Sequence, residues 1–139
     1  QSQISIPSII GIWQNGGMIG HTFDVTIGTF RYNSGVGQRY VFKEDGTFTS
    51  SIVSTYGNMI AITGTYTVKD DKITFSNQSG KVSDDYGKTW KAGNAPPDIS
   101  HYYYFDTDDS GTSLIIGLED AVPPLDTETN AVRYSLMDE

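Results

Sequence analysis

Two histidines and a scatter of carboxylates are the groups in this 139-residue chain that could move protons. An unperturbed imidazole changes charge near neutrality, which suits general acid–base work. His21 stands three residues before Asp24, and in a continuous strand the two would face opposite sides because side chains alternate. A His21–Asp24 dyad therefore needs a bend at Thr22. His101 precedes Tyr102-Tyr103-Tyr104 and shares a face with Tyr103. His21, Asp24 and His101 are the catalytic candidates, each weighed against an ordinary hydrogen-bonded rim residue. Neither a Ser-His-Asp order nor a Gly-x-Ser-x-Gly elbow accompanies them, and two histidines make no metal triad. Asp106, Asp108 and Ser110, followed by Gly111, space oxygen donors as the opening of a calcium loop does. The twelfth position of that loop, Gly117, brings no ligand, and a solvated acidic hairpin is the competing reading. No metal and no cofactor is expected. With no cysteine, thiolate catalysis, disulfides and Cys-ligated zinc are excluded.

These groups need a scaffold, and the scaffold signals are those of strands. No window of a dozen residues carries an apolar helical stripe free of glycine or β-branched clusters. Short alternating runs recur instead, bounded by turn residues. They cover Ile9 to Gln14, Thr22 to Tyr32, Gln38 to Lys43, Thr47 to Ser54, Asn58 to Val68, the run around Ile73 and Phe75, Ile99 to Asp106, Thr112 to Leu118 and Ala131 to Leu136. Glu44-Asp45-Gly46 and Lys69-Asp70-Asp71-Lys72 read as tight hairpin turns. Gln14 to His21, Lys91 to Asp98 and Gly117 to Asn130 read as longer loops, and Asn33 to Gly37 as a glycine-rich one. A meander of eight or nine strands must close or leave exposed edges. The expected fold is all-β: a single antiparallel up-and-down β-barrel of about eight strands over residues 1–139, with residues 1–8 as an N-terminal arm.

Seventeen acids against nine bases give a formal net charge of -8. Only one base, Arg133, lies after residue 91. Such a balance argues against nucleic-acid binding, which needs clustered Lys and Arg. No apolar run approaches the roughly 20 residues of a membrane-spanning helix. Gln1-Ser2-Gln3 resembles the mature end left by signal cleavage, and a secreted or periplasmic location is the expectation.

Gly11-Ile12-Trp13 on the first strand and Val132-Arg133-Tyr134 on the last resemble the lipocalin-like (calycin) β-barrel family in its small bacterial form. The resemblance implies a barrel with one closed end, where the indole of Trp13 packs under the guanidinium of Arg133 by cation–π attraction. Ser83-Asp84-Asp85-Tyr86-Gly87-Lys88-Thr89-Trp90 matches the S-x-D-x-G-x-T-W pattern of the sialidase Asp-box. That resemblance implies a local hairpin in which Ser and Asp bond turn amides and Trp packs beneath. Sialidase activity is not implied, because a six-bladed propeller does not fit in this length.

Tyr40, Phe42, Phe48, Tyr66, Phe75, Tyr102 and Tyr104 fall on alternating faces of at least five strands. Turned inward, they would wall a cavity suited to a small hydrophobic ligand, with Met18 as an apolar flap at the mouth. Binding of a small apolar or aromatic molecule is the expected function. The alternatives are a cyclase- or isomerase-type enzyme on the same barrel, and a structural subunit that forms a homo-oligomer through its N-terminal arm.

Overall fold

The computed structural model describes residues 8–19, 22–24, 29–31, 34–53, 58–85 and 89–137, with the backbone alone at 17–19, 22–24, 29–31 and 34–36. Its strands are β1 (Gly11–Ile19), β2 (Thr22–Asp24), β3 (Thr29–Arg31), β4 (Ser34–Phe42), β5 (Thr47–Val53), β6 (Met59–Lys69), β7 (Lys72–Ser83), β8 (Lys91–Ala92), β9 (Ile99–Asp108), β10 (Gly111–Gly117) and β11 (Ala131–Met137). There is no helix among the described residues, and so none long and apolar enough to cross a membrane. Every pairing is antiparallel, and the ring β1-β4-β5-β6-β7-β9-β10-β11 closes when β11 pairs with β1. Closure into eight strands leaves no edge within the ring. β8 adds to the far half of β7, and β2 and β3 form a separate short hairpin.

Three parts of the chain differ from the expectation drawn from the sequence. Glycine-rich Gln14 to His21 was expected as a loop, yet β1 runs on to Ile19, and Asn33 to Gly37 largely joins β4. Gly16 pairs with Gly37 and Met18 with Gly35, because ladder hydrogen bonds need backbone groups rather than side chains. The single strand expected from Thr22 to Tyr32 is instead the two three-residue strands β2 and β3.

The strand register sorts the connections. At one end lie the short turns after Phe42, Lys69 and Asp108; at the other lie the long connections after Ile19, Val53, Ser83 and Gly117. The short-turn end is sealed. Trp13 is 1% exposed, its Nε1 donates to the Ile9 carbonyl at 2.8 Å, and its ring packs on Phe105 at 5.8 Å. Phe42, Ile73, Leu114 and Tyr134 are buried with it, backed by Tyr66, Tyr103 and Phe105. Ile9, next to the expected arm, packs into this barrel's own core; residues 1–7 lie outside the described part.

The expected stack of Arg133 on Trp13 does not form. Tyr134 points inward, so its neighbour Arg133 must point outward, where its guanidinium donates to Asp106 Oδ2 at 2.9 Å on the surface. The closed end is held by apolar packing and the Trp13–Ile9 hydrogen bond.

A bulge in β7 decides what faces the interior. Thr63 pairs with Ser79 but Thr65 pairs with Ser76, so Asn77 and Gln78 together oppose Gly64. The extra residue switches the alternation: Ile73 and Phe75 face inward before it, and Gln78 faces the cavity after it. Asn77 takes a positive φ of 54° and its Nδ2 donates to Thr65 Oγ1 at 3.0 Å. Opposite, Gly64 is required: a Cβ there would stand 2.6 Å from the Ser76 carbonyl oxygen and 3.0 Å from the Phe48 ring.

Candidate functional site

Above the sealed end the barrel is hollow. A cavity of about 400 Å3 is lined by Tyr40, Phe48, Phe75, Ile52, Ile62 and Ile99, and by the polar side chains of Gln38, Ser50, Gln78, His101 and Glu119. This volume lies in the range of small-molecule sites, and the mixed lining is typical of them. On the same inward face toward the open end, Ile60 and Val82 pair across β6 and β7 and are half-exposed. A hollow of similar volume lies outside the barrel beside the β6–β7 turn, but its walls are the exposed Lys69, Asp70, Asp71 and Lys72. The barrel cavity is the better site because its walls come from core strands.

The rings of the wall interlock. Tyr40 stacks on Phe75 at 5.7 Å and on Phe42 at 5.3 Å, and meets Tyr134 edge-on at 5.3 Å. Tyr134 donates its hydroxyl to Gln38 Oε1 at 2.7 Å, and Gln38 Nε2 donates to Ser50 Oγ at 3.4 Å. Burial pushes the Tyr40 and Tyr134 hydroxyls above the usual phenol range, so both remain protonated donors.

His101 enters from β9, opposite Ile73 of β7. Its ring stands edge-on to Phe75 at 5.8 Å, and Nδ1 lies 2.9 Å from the Gly117 carbonyl oxygen. A carbonyl only accepts, so Nδ1 carries the hydrogen, and Nε2 of the neutral ring keeps its lone pair. Glu119 reaches the lining from the connection after β10, which is anchored where Leu118 N donates to the Asn130 carbonyl at 2.8 Å.

The inward set expected from the sequence divides. Tyr40, Phe48 and Phe75 line the cavity, while Phe42 and Tyr66 pack below it, Tyr66 giving its hydroxyl to the Lys43 carbonyl at 2.7 Å. Tyr102 and Tyr104 are not inside. Ile99, His101, Tyr103 and Phe105 hold the inward positions of β9, which sends Tyr104 to solvent and Tyr102 under Lys72, whose Nζ is 4.8 Å from the ring centroid. The side chains of Met18 and Asp24 and the whole of His21 lie outside the described part; among the described residues, His101 is the acid–base candidate that lines the cavity. Gln38, Ser50, Ile52, Ile62 and Ile99 were reachable from the alternation around Tyr40, Phe48 and His101. Gln78 required the bulge, and Glu119 had no local signal.

The two turn motifs are built as hairpins. Asp85 Oδ1 accepts from Ser83 Oγ at 2.8 Å and Thr89 N at 3.0 Å, and its Oδ2 accepts from Thr89 Oγ1 at 2.6 Å. Those donors, the Thr89 hydroxyl first, hold the Asp85 carboxyl down at about 2. Trp90 packs against Val53 and Met59, outside the barrel cavity. In the Asp106–Gly111 turn, Asp108 Oδ1 accepts from Ser110 N at 2.8 Å and Ser110 Oγ at 2.6 Å, and Asp106 holds Arg133. No group of three or more metal-binding side chains occurs among the described residues.

Fold and site together define a class: a closed eight-stranded antiparallel barrel, sealed at one end, with a half-apolar cavity toward the other. No protein-family model, curated protein or solved structure matches the chain.

Proposed function

We propose that this protein is a lipocalin-type barrel that binds a small ring-bearing molecule in its cavity. The observation that carries the reading is the cavity itself, with Tyr40, Phe48 and Phe75 on one side and Gln38, Ser50, Gln78, His101 and Glu119 among its walls. Rings and isoleucines offer burial worth about 25 cal/mol per Å2 of apolar area, and the polar groups orient what enters. Gly11-Ile12-Trp13 at the start of β1, with Trp13 plugging the sealed end, supports the lipocalin-type assignment despite the outward Arg133.

The test is a fluorescence titration of the full chain with naphthalene derivatives. One-to-one saturable binding is expected, and Ile62→Trp, which places a second ring system in the cavity, should abolish it without changing the far-UV circular dichroism. Absence of saturable binding, or binding that survives Ile62→Trp unchanged, would overturn the reading.

A further inference from the structure

We infer that His101 selects the occupant: the cavity takes an uncharged or cationic aromatic molecule that presents a ring O–H or N–H to His101 Nε2, and it rejects carboxylates. This inference rests on the reading of the cavity as a binding site.

The argument starts from the hydrogen bonds already made in the lining. Tyr134 uses Gln38 Oε1, Gln38 Nε2 reaches Ser50 Oγ, and Gln78 Nε2 donates to the Pro97 carbonyl at 2.9 Å. His101 makes a single hydrogen bond, through Nδ1 to the Gly117 carbonyl. That bond sets the tautomer and leaves Nε2 an acceptor without a partner among the described residues. His101 is half-buried, so Nε2 is open to solvent while the cavity is empty. A seated ligand displaces that solvent, and one that supplies a donor keeps the acceptor matched whereas one without a donor leaves it unmatched.

Position adds a second constraint. The imidazole stands edge-on to Phe75, which stacks with Tyr40, so a flat molecule lying along that wall carries its substituent toward the histidine. Charge adds a third. Glu119 lines the same cavity with no ion pair or hydrogen bond of its own, and no Lys or Arg is among the described lining residues. A ligand carboxylate would meet the like charge of Glu119, exposed at the cavity's edge, and no compensating cation among the described lining residues, which is unfavourable. Phenol-, indole- and arylamine-type molecules satisfy all three constraints; fatty acids and aryl carboxylates do not.

Three probes of one ring system test this: 2-naphthol, 2-methoxynaphthalene and 2-naphthoate, titrated into the wild-type chain, His101→Leu and His101→Gln. In the wild type, naphthol should bind about tenfold more tightly than the methyl ether, the size of one well-placed hydrogen bond, with naphthoate weakest. His101→Leu should bring the naphthol-to-ether ratio close to one while leaving ether affinity nearly unchanged, and His101→Gln, which keeps an acceptor, should retain part of the preference. Equal binding of naphthol and ether by the wild type, or tightest binding of naphthoate, overturns the selection by His101 and leaves the binding cavity standing. If His101→Leu does not fold, the wild-type ratio alone decides. Failure of all three probes to saturate removes the cavity reading and this inference with it.

Discussion

The two ends of the barrel are made from the same strands and are built in opposite ways. At the sealed end the connections are short and chemically explicit: Asp45 Oδ1 accepts from Thr47 N and Oγ1 at 3.0 and 2.6 Å, Gly46 takes φ 87°, and Asp108 repeats the pattern with Ser110. Large side chains fill the space between the strands, so packing leaves no room for a guest. At the other end the inward positions carry Ser50, Gln38, Gln78 and His101 where the sealed end carries Trp13, Phe42 and Leu114. Polar side chains that must reach specific partners cannot also fill volume, and a cavity results. The contrast teaches that this barrel separates stability from recognition along its axis: one end is packed to hold the fold, and the other forgoes packing to keep a lined hollow.

The sharpest way to break that division is to truncate each end. Trp13→Ala should destabilise by about 3–5 kcal/mol, as for other fully buried aromatics, whereas Ile60→Ala at the half-exposed rim should cost less than about 1 kcal/mol. Urea unfolding of both variants measures this, and equal losses would contradict the division. A smaller effect is expected midway. Gly64→Ala sets a Cβ against the Ser76 carbonyl and should cost about 1–3 kcal/mol while also weakening ligand binding, because the bulge that presents Gln78 must shift. Ligand titration alongside denaturation separates the two consequences.

A still smaller effect concerns the hairpin between β7 and β8. The Asp85 carboxyl sits at about 2 when folded, against an ordinary value of 3.8. A depressed folded value means the contribution is fully present above the unfolded value and is lost as pH falls from about 4 toward about 2. Asp85→Asn should therefore lower the urea midpoint at pH 6 and narrow its gap to the wild type by pH 2; a gap that stays constant with pH would show that the carboxylate charge does not matter there. The smallest effect belongs to Tyr104. Because it faces solvent, Tyr104→Ser should shift stability by no more than about 0.5 kcal/mol and leave naphthalene binding unchanged. A lost affinity there would return this residue to the cavity wall.

Alternation made much of this legible in advance. Phe42, Phe48, Ile62, Tyr66 and Phe75 face inward as their spacing implied, and Asp45-Gly46, Asp70-Asp71 and the Ser83–Trp90 motif make the hairpins that their turn chemistry requires. Failures occurred where a pattern leaves phase or partner open. Three consecutive tyrosines carry no phase, so alternation alone allows Tyr102 and Tyr104 inside, whereas Tyr103 holds that face. Gly16, Gly17, Gly35 and Gly37 read as loop because glycine is common in turns, yet all four pair in the β1–β4 ladder, Gly16 with Gly37, Gly17 with Val36 and Gly35 with Met18. Residue type alone matches Arg133 to Trp13, but the inward Tyr134 beside it forces Arg133 out.

What this sequence determined by itself is the menu of local structure: period-two apolar patterning, turn residues at the sealed end, and a composition without thiols or a basic face. These follow from near-neighbour sterics and hydrogen bonding, which a linear string records. Only the tertiary structure decided which residues meet. The β7 bulge turned Gln78 inward, closure of β11 on β1 completed the wall, and the placement of Gly117 beside β9 gave His101 its tautomer. Each depends on the register between strands distant in sequence, and register is a property of the closed barrel as a whole.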